Sequence, residues 1–177
     1  NANNVETIID YVLSRYPNKI DTRRIYLTGY SNGANMIMEY VGSSLARAQR
    51  IAAVMPVALC SQLAHFSNIA QGVSAANIAN AKLKTWFVQC AIDNPCGLAS
   101  QDWVDGIEAV PGHVTPRYTV LKDQNPATLY NCSDSLLHDA WSRAYDPSFT
   151  ASFVNGTGAN YGVNLNVYDW FIAQTNV

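Results

Sequence analysis

The chain has 177 residues, enough for one domain, residues 1–177, with a single sizeable core. Apolar residues make up 49% and Asp, Glu, Lys and Arg only 14%, which excludes a disordered chain, because disorder combines low hydrophobicity with high charge. A formal net charge of −2 supplies no basic surface for nucleic acid or an anionic membrane, and the longest apolar run, Ile51 to Cys60, is half the ~20 residues of a membrane span.

Val5, Ile8, Ile9, Val12 and Leu13 recur at helical spacing, and Pro17 with Asn18 ends that pattern. Asp21 to Arg24 reads as a turn and Ile25 to Thr28 as a strand. Gly29 to Gly33 is a tight corner, followed by a helix through Met36, Ile37, Tyr40 and Val41. Ile51 to Leu59 is a continuous apolar strand of the kind buried in parallel sheets, and Ala75 to Leu83 a helix. Thr85 to Val88 and Arg117 to Leu121 are further strands, and Asn164 to Gln174 is a closing helix that buries Val167, Trp170 and Phe171. Alternating strands and helices predict an α/β fold, a parallel sheet covered by helices on both faces. Asp123 to Gly162 is a long polar and aromatic stretch, and a loop of that length usually has a function.

Gly29-Tyr30-Ser31-Asn32-Gly33 is a G-x-S-x-G sequence set between a strand and a helix. That context defines a nucleophile elbow, in which a serine is exposed on a strained strand-to-helix turn. Both glycines are expected to be required sterically. The backbone N–H of Asn32, at the start of the helix, can bind a developing oxyanion. An ordinary corner with a capping serine is the plainer reading of the same residues.

A serine hydroxyl needs a base to take its proton and a carboxylate to orient that base. Of the three histidines, His65 precedes any acid loop and His113 stands at the N-terminal end of a strand, which leaves His138 as base. Asp93 follows the third strand within five residues of Val88 and is the expected acid, with Asp102 as the reserve. Asp134 and Asp139 are near His138 in sequence only. No metal or organic cofactor is needed for this chemistry.

Cys60, Cys90, Cys96 and Cys132 contain no Cys-x-x-Cys pair, which leaves buried thiols or one or two disulfides of a secreted chain. Cys96 and Cys132 flank the acid and base loops, which must converge, and are the expected bridge. Cys60 and Cys90 end neighbouring strands and are either a second pair or free.

The segment Arg24 to Ala34 resembles the elbow of secreted α/β-hydrolase serine esterases, the polyhydroxybutyrate-depolymerase-like and feruloyl-esterase-like group. Thr85 to Val88 followed by Asp93, Arg117 to Thr119, His138-Asp139-Ala140-Trp141 with Tyr145, and Tyr168 to Phe171 resemble that family's later segments in the same order. The resemblance runs from about Val5 to Gln174 and implies Ser31 as nucleophile, Asp93 as acid and His138 as base. Gln89-Cys90 and Asn32-Gly33-Ala34 depart from the family's usual residues. It implies an ester substrate, small or linked to a polysaccharide, with Tyr30 and Trp141 beside it and no cofactor. It also implies the C-terminal part of the α/β-hydrolase fold, lacking its N-terminal strands. The first residue is Asn1, with neither an initiator Met nor a signal-peptide pattern, so an upstream segment, removed or left out, is expected. The N-terminal half of the fold, on this chain's precursor or on a separate chain, is the expected partner. A non-catalytic binding module that retains the elbow, or a peptidase or polyester depolymerase on the same triad, are the alternatives.

Overall fold

The computed structural model describes residues 2–61, 73–91, 93, 96–97, 99–121, 138–149 and 165–176. Four parallel strands form one sheet in the order β1 (Tyr26–Tyr30), β2 (Ala53–Val57), β3 (Lys84–Cys90), β4 (Arg117–Leu121). Each strand therefore joins its neighbour in chain order. Right-handed crossovers that always step in one direction must put every connecting helix on the same face. Accordingly α2 (Asn32–Ser43), α3 (Leu45–Gln49), α4 (Val73–Asn80) and α5 (Ala99–Glu108) share one core with Val54, Phe87 and Tyr118, and α1 (Ala2–Arg15) joins it through Ala2, Val5 and Ile9.

The opposite face then has to be covered by chain that follows β4. Helices α6 (Trp141–Ala144) and α7 (Val167–Ile172) do this, packing Ala144, Val167, Trp170 and Phe171 on Met55, Trp86, Val88 and Leu121. Trp86 meets Trp170 edge to face at 5.3 Å between ring centroids, a pair worth about 1 kcal/mol beyond the area it buries. The molecule is thus α/β with helices on both faces of a parallel sheet, as its alternating elements predict. None of the helices among the described residues is long and apolar enough to cross a membrane.

Two expectations are refined. Helix α3 is an extra turn capped by Ser44, whose hydroxyl accepts from the Arg47 N–H. Ile8 is 61% exposed although its spacing fits the buried stripe of α1, because that helix enters the core through Ala2, Val5 and Ile9, with Leu13 partly buried against it. Among the described residues β1 pairs only with β2 and forms an edge.

All four strands run the same way, so their C-terminal ends open on one edge. The chain leaves that edge in a staircase of backbone bonds: Ser31 N–H to Val57 O, Ala58 N–H to Val88 O, and Ala91 N–H to Leu121 O, each 2.8 or 2.9 Å. Crevices at this edge are where open α/β sheets hold ligands.

Candidate active site

Ser31 is the residue between β1 and α2, with φ 53° and ψ −115°. A side-chain-bearing residue in this region is strained, and such strain persists only where the surroundings enforce it. Here the Ser31 N–H is fixed to Val57 O, and its carbonyl accepts from Asn35 N–H at 3.0 Å. Gly29 permits the turn, since a Cβ there would sit 2.5 Å from the Gly33 carbonyl carbon and 2.6 Å from its oxygen. Gly33 differs from expectation. Apart from its chain neighbours and the backbone of its own helix, a Cβ on it meets nothing within 4 Å among the described residues.

The bend projects the serine hydroxyl over the sheet edge, 3.0 Å from His138 Nε2. His138 Nδ1 lies 2.9 and 3.0 Å from the two carboxylate oxygens of Asp93. An ionised carboxylate only accepts, so Nδ1 carries the hydrogen and Nε2 is left to accept from the Ser31 hydroxyl. Asp93, His138 and Ser31 therefore form one relay drawn from three separate loops. Asp93 is 3% exposed and His138 9%.

Burial pushes the Asp93 carboxyl above the usual carboxylate range, and hydrogen bonds from His138, the Cys96 N–H and Gln89 oppose that rise. The acid loop is a tight turn in which the N–H groups of Cys96 and Gly97 donate to Asp93 O at 3.2 and 2.7 Å, and Cys96 N–H also reaches Asp93 Oδ1 at 3.2 Å. Gln89, fully buried at the end of β3, ties this turn from below. Its amide nitrogen donates to Gly97 O, and its oxygen accepts from the Ser100 N–H at 3.0 Å. In the sequence Gln89 stands out only as a departure from the resembled family.

Asn32 is the first residue of α2, a position whose N–H has no carbonyl available within the helix. That N–H sits beside the Ser31 hydroxyl in the chain. Tyr30 packs its ring 5.0 Å from the His138 ring and 6.3 Å from that of Trp141, which is 49% exposed. Two aromatic rings thus stand in series beside His138, the outer one partly exposed. Of the other candidates, Asp102 is exposed on the first turn of α5 and His113 lies between α5 and β4, bonded to Val110 O. Asp139 follows His138 without entering the relay, while His65 and Asp134 lie outside the described residues.

The cysteine pairing is a correction. Cys96 is bonded to Cys60, neither to Cys132 nor leaving Cys60 for Cys90. Cys90 is also disulfide-bonded, and Cys132 lies outside the described residues. The reason is reach. Cys90 is still within β3, whereas Cys60 lies three residues beyond the end of β2, at the level of the Asp93 turn. Cys60, Cys96 and His138 bring their ligand atoms within 4.8 Å of one another, but both sulfurs are committed to the disulfide, so the trio is not a thiolate metal site.

No protein-family model matches this chain, and no curated protein matches it. One solved structure that it resembles is a protein of unknown function from Agrobacterium tumefaciens, described as a candidate alpha/beta hydrolase, with 18% identity and a TM-score of 0.46. The match covers 68% of this chain and 47% of that one, so the chain spans about half of its neighbour's length. A likeness at this level assigns no residue a role.

Proposed function

We propose that the protein is a serine-dependent carboxylic ester hydrolase of the α/β-hydrolase type. One observation carries the reading, the Asp93–His138–Ser31 relay ending on a serine held at φ 53° between a parallel strand and a helix. In the reaction Ser31 Oγ attacks the ester carbonyl carbon while His138 Nε2 takes its proton. The carbonyl oxygen becomes an oxyanion that accepts a hydrogen bond from the Asn32 N–H. Asp93 holds the imidazole in the correct tautomer and balances the imidazolium charge. His138 then returns the proton to the departing alkoxide, leaving an acyl-serine, and a water activated by the same base hydrolyses it.

Acyl or feruloyl esters of polysaccharides are the proposed substrates. Support comes from the family resemblance and from Tyr30, whose ring lies against His138, with Trp141 beside Tyr30, since both rings can stack on a phenolic or sugar ring. Disulfides at Cys60, Cys90 and Cys96 suit an oxidising compartment, and secretion is proposed on that basis. The open edge of β1 is proposed to pair with the N-terminal half of the resembled fold, which would also bring a second oxyanion donor. Ser31→Ala is expected to abolish hydrolysis of p-nitrophenyl butyrate with unchanged circular dichroism. Undiminished hydrolysis by that variant would remove the assignment.

A further inference from the structure

The Cys60–Cys96 bridge is built into the relay. On one side, Asn35, in the first turn of the nucleophile's helix, accepts from the N–H groups of Cys60 and Ser61 through Oδ1 at 3.0 Å each. On the other, the Cys96 N–H donates to Asp93 Oδ1 at 3.2 Å. Cys96 Sγ lies 3.6 Å from His138 Nδ1 and 4.0 Å from Nε2, and Cys60 Sγ lies 4.0 Å from Ser31 Oγ. The disulfide therefore ties the nucleophile's surroundings to the acid loop and covers one edge of the imidazole. Cys60 is partly exposed, and a small reductant can reach it.

We propose that the Cys60–Cys96 disulfide is a positioning element of the active site, which must be closed for Ser31 to turn over esters. The proposal rests on the esterase reading above. Two physical effects operate together. The bridge fixes the Asp93 turn relative to the elbow, and misplacement of a catalytic group by about 1 Å can cost on the order of 10² in rate. The sulfurs also keep water from the Asp93–His138 pair, where a lower dielectric strengthens its attraction.

A dithiol such as dithiothreitol reduces the bridge by two electrons and two protons. The S–S bond breaks, two thiols form and the dithiol closes to its own cyclic disulfide. The freed sulfurs must separate to non-bonded distance, which pushes against the His138 ring and releases the Asp93 turn. Activity is then confined to oxidising surroundings.

The test equilibrates the wild-type protein in glutathione buffers of graded potential. Alkylation and mass spectrometry read the Cys60–Cys96 and Cys90 bridges, while kcat and KM for p-nitrophenyl butyrate and far-UV circular dichroism are measured on the same samples. The double variant Cys60→Ala/Cys96→Ala, which keeps the Cys90 bridge, is measured in parallel. Opening Cys60–Cys96 is expected to lower kcat by about 10²-fold with KM within about twofold, dichroism unchanged and activity restored on reoxidation. Full kcat with this bridge open overturns the proposal. So does a loss of kcat that only follows loss of dichroism, since the bridge would then be a general staple. A fully oxidised wild type without Ser31-dependent hydrolysis removes the esterase reading itself and the proposal with it, an outcome visible before any bridge is opened.

Discussion

Asp93 is the residue in which the demands of stability and chemistry diverge. It is 3% exposed, and burial raises its carboxyl despite hydrogen bonds from His138, Cys96 and Gln89. The folded value lies above the unfolded one, so in the window between them the native state binds the extra proton. Its contribution to stability is therefore favourable at low pH and is lost as pH rises through the folded value. The proposed mechanism needs this carboxylate charged to balance the imidazolium, and the raised folded value makes that charge a cost to folding. Asp93→Asn removes the buried charge and disfavours the useful tautomer. Its Tm at pH 7 is expected to equal or exceed that of the wild type while kcat falls about 10⁴-fold, as for an Asp-to-Asn change in another serine triad. Thermal melts at pH 5 and pH 7 beside ester assays check this, and a large loss of Tm at pH 7 would contradict it. The candidate relay was legible at this scale because strand order and only three histidines limited the choices. Gln89 was not, because its work depends on the turn at Asp93–Gly97 bringing Gly97 and Ser100 back over β3.

At the scale of elements, the elbow is the most demanding local structure. Gly29→Ala would drive a Cβ into the Gly33 backbone, which has no flexible end to move aside. Overpacking of this kind costs about 1–3 kcal/mol and would also displace Ser31. Gly33→Ala meets no described atom within 4 Å apart from its chain neighbours and its own helix backbone, and lies in the first turn of α2, where alanine is favoured over glycine by up to about 1 kcal/mol. Denaturant melts and ester hydrolysis should separate the two sharply, with Gly29→Ala unstable and inactive and Gly33→Ala close to the wild type. Equal behaviour would show that the turn is not set by this contact. Strand positions read well from the sequence, and β4 spans the expected Arg117–Leu121, because apolar and β-branched runs leave few alternatives. Helix α3 was missed because a single turn, Leu45–Gln49, is too short for a periodic signal. The cysteine pairing was misread because loop convergence narrows the choice to a neighbourhood, whereas pairing depends on where each strand stops.

At the scale of the whole molecule, the decisive feature is the edge that β1 forms among the described residues. Parallel strands are normally buried on both sides, and an uncovered edge invites pairing with another chain. α7 packs over β1 through Tyr26 and Phe171, with ring centroids 5.2 Å apart, and leaves Ile172 64% exposed. Residues 1–177 by themselves are therefore expected to self-associate with rising concentration in sedimentation velocity, and to hydrolyse esters slowly. If the proposed N-terminal half supplies a second oxyanion donor, its loss typically costs 10²–10³ in rate, about 3–4 kcal/mol. A monodisperse monomer with ordinary esterase rates would contradict this. Slow turnover does not obscure the central claim, because an activated serine can be trapped in a single covalent event. The most direct measurement is labelling with a fluorophosphonate probe followed by peptide mapping. A single adduct on Ser31, lost in His138→Ala and in heat-denatured protein, is the result this account predicts. No adduct on native protein, or one on another serine that persists in His138→Ala, would contradict it.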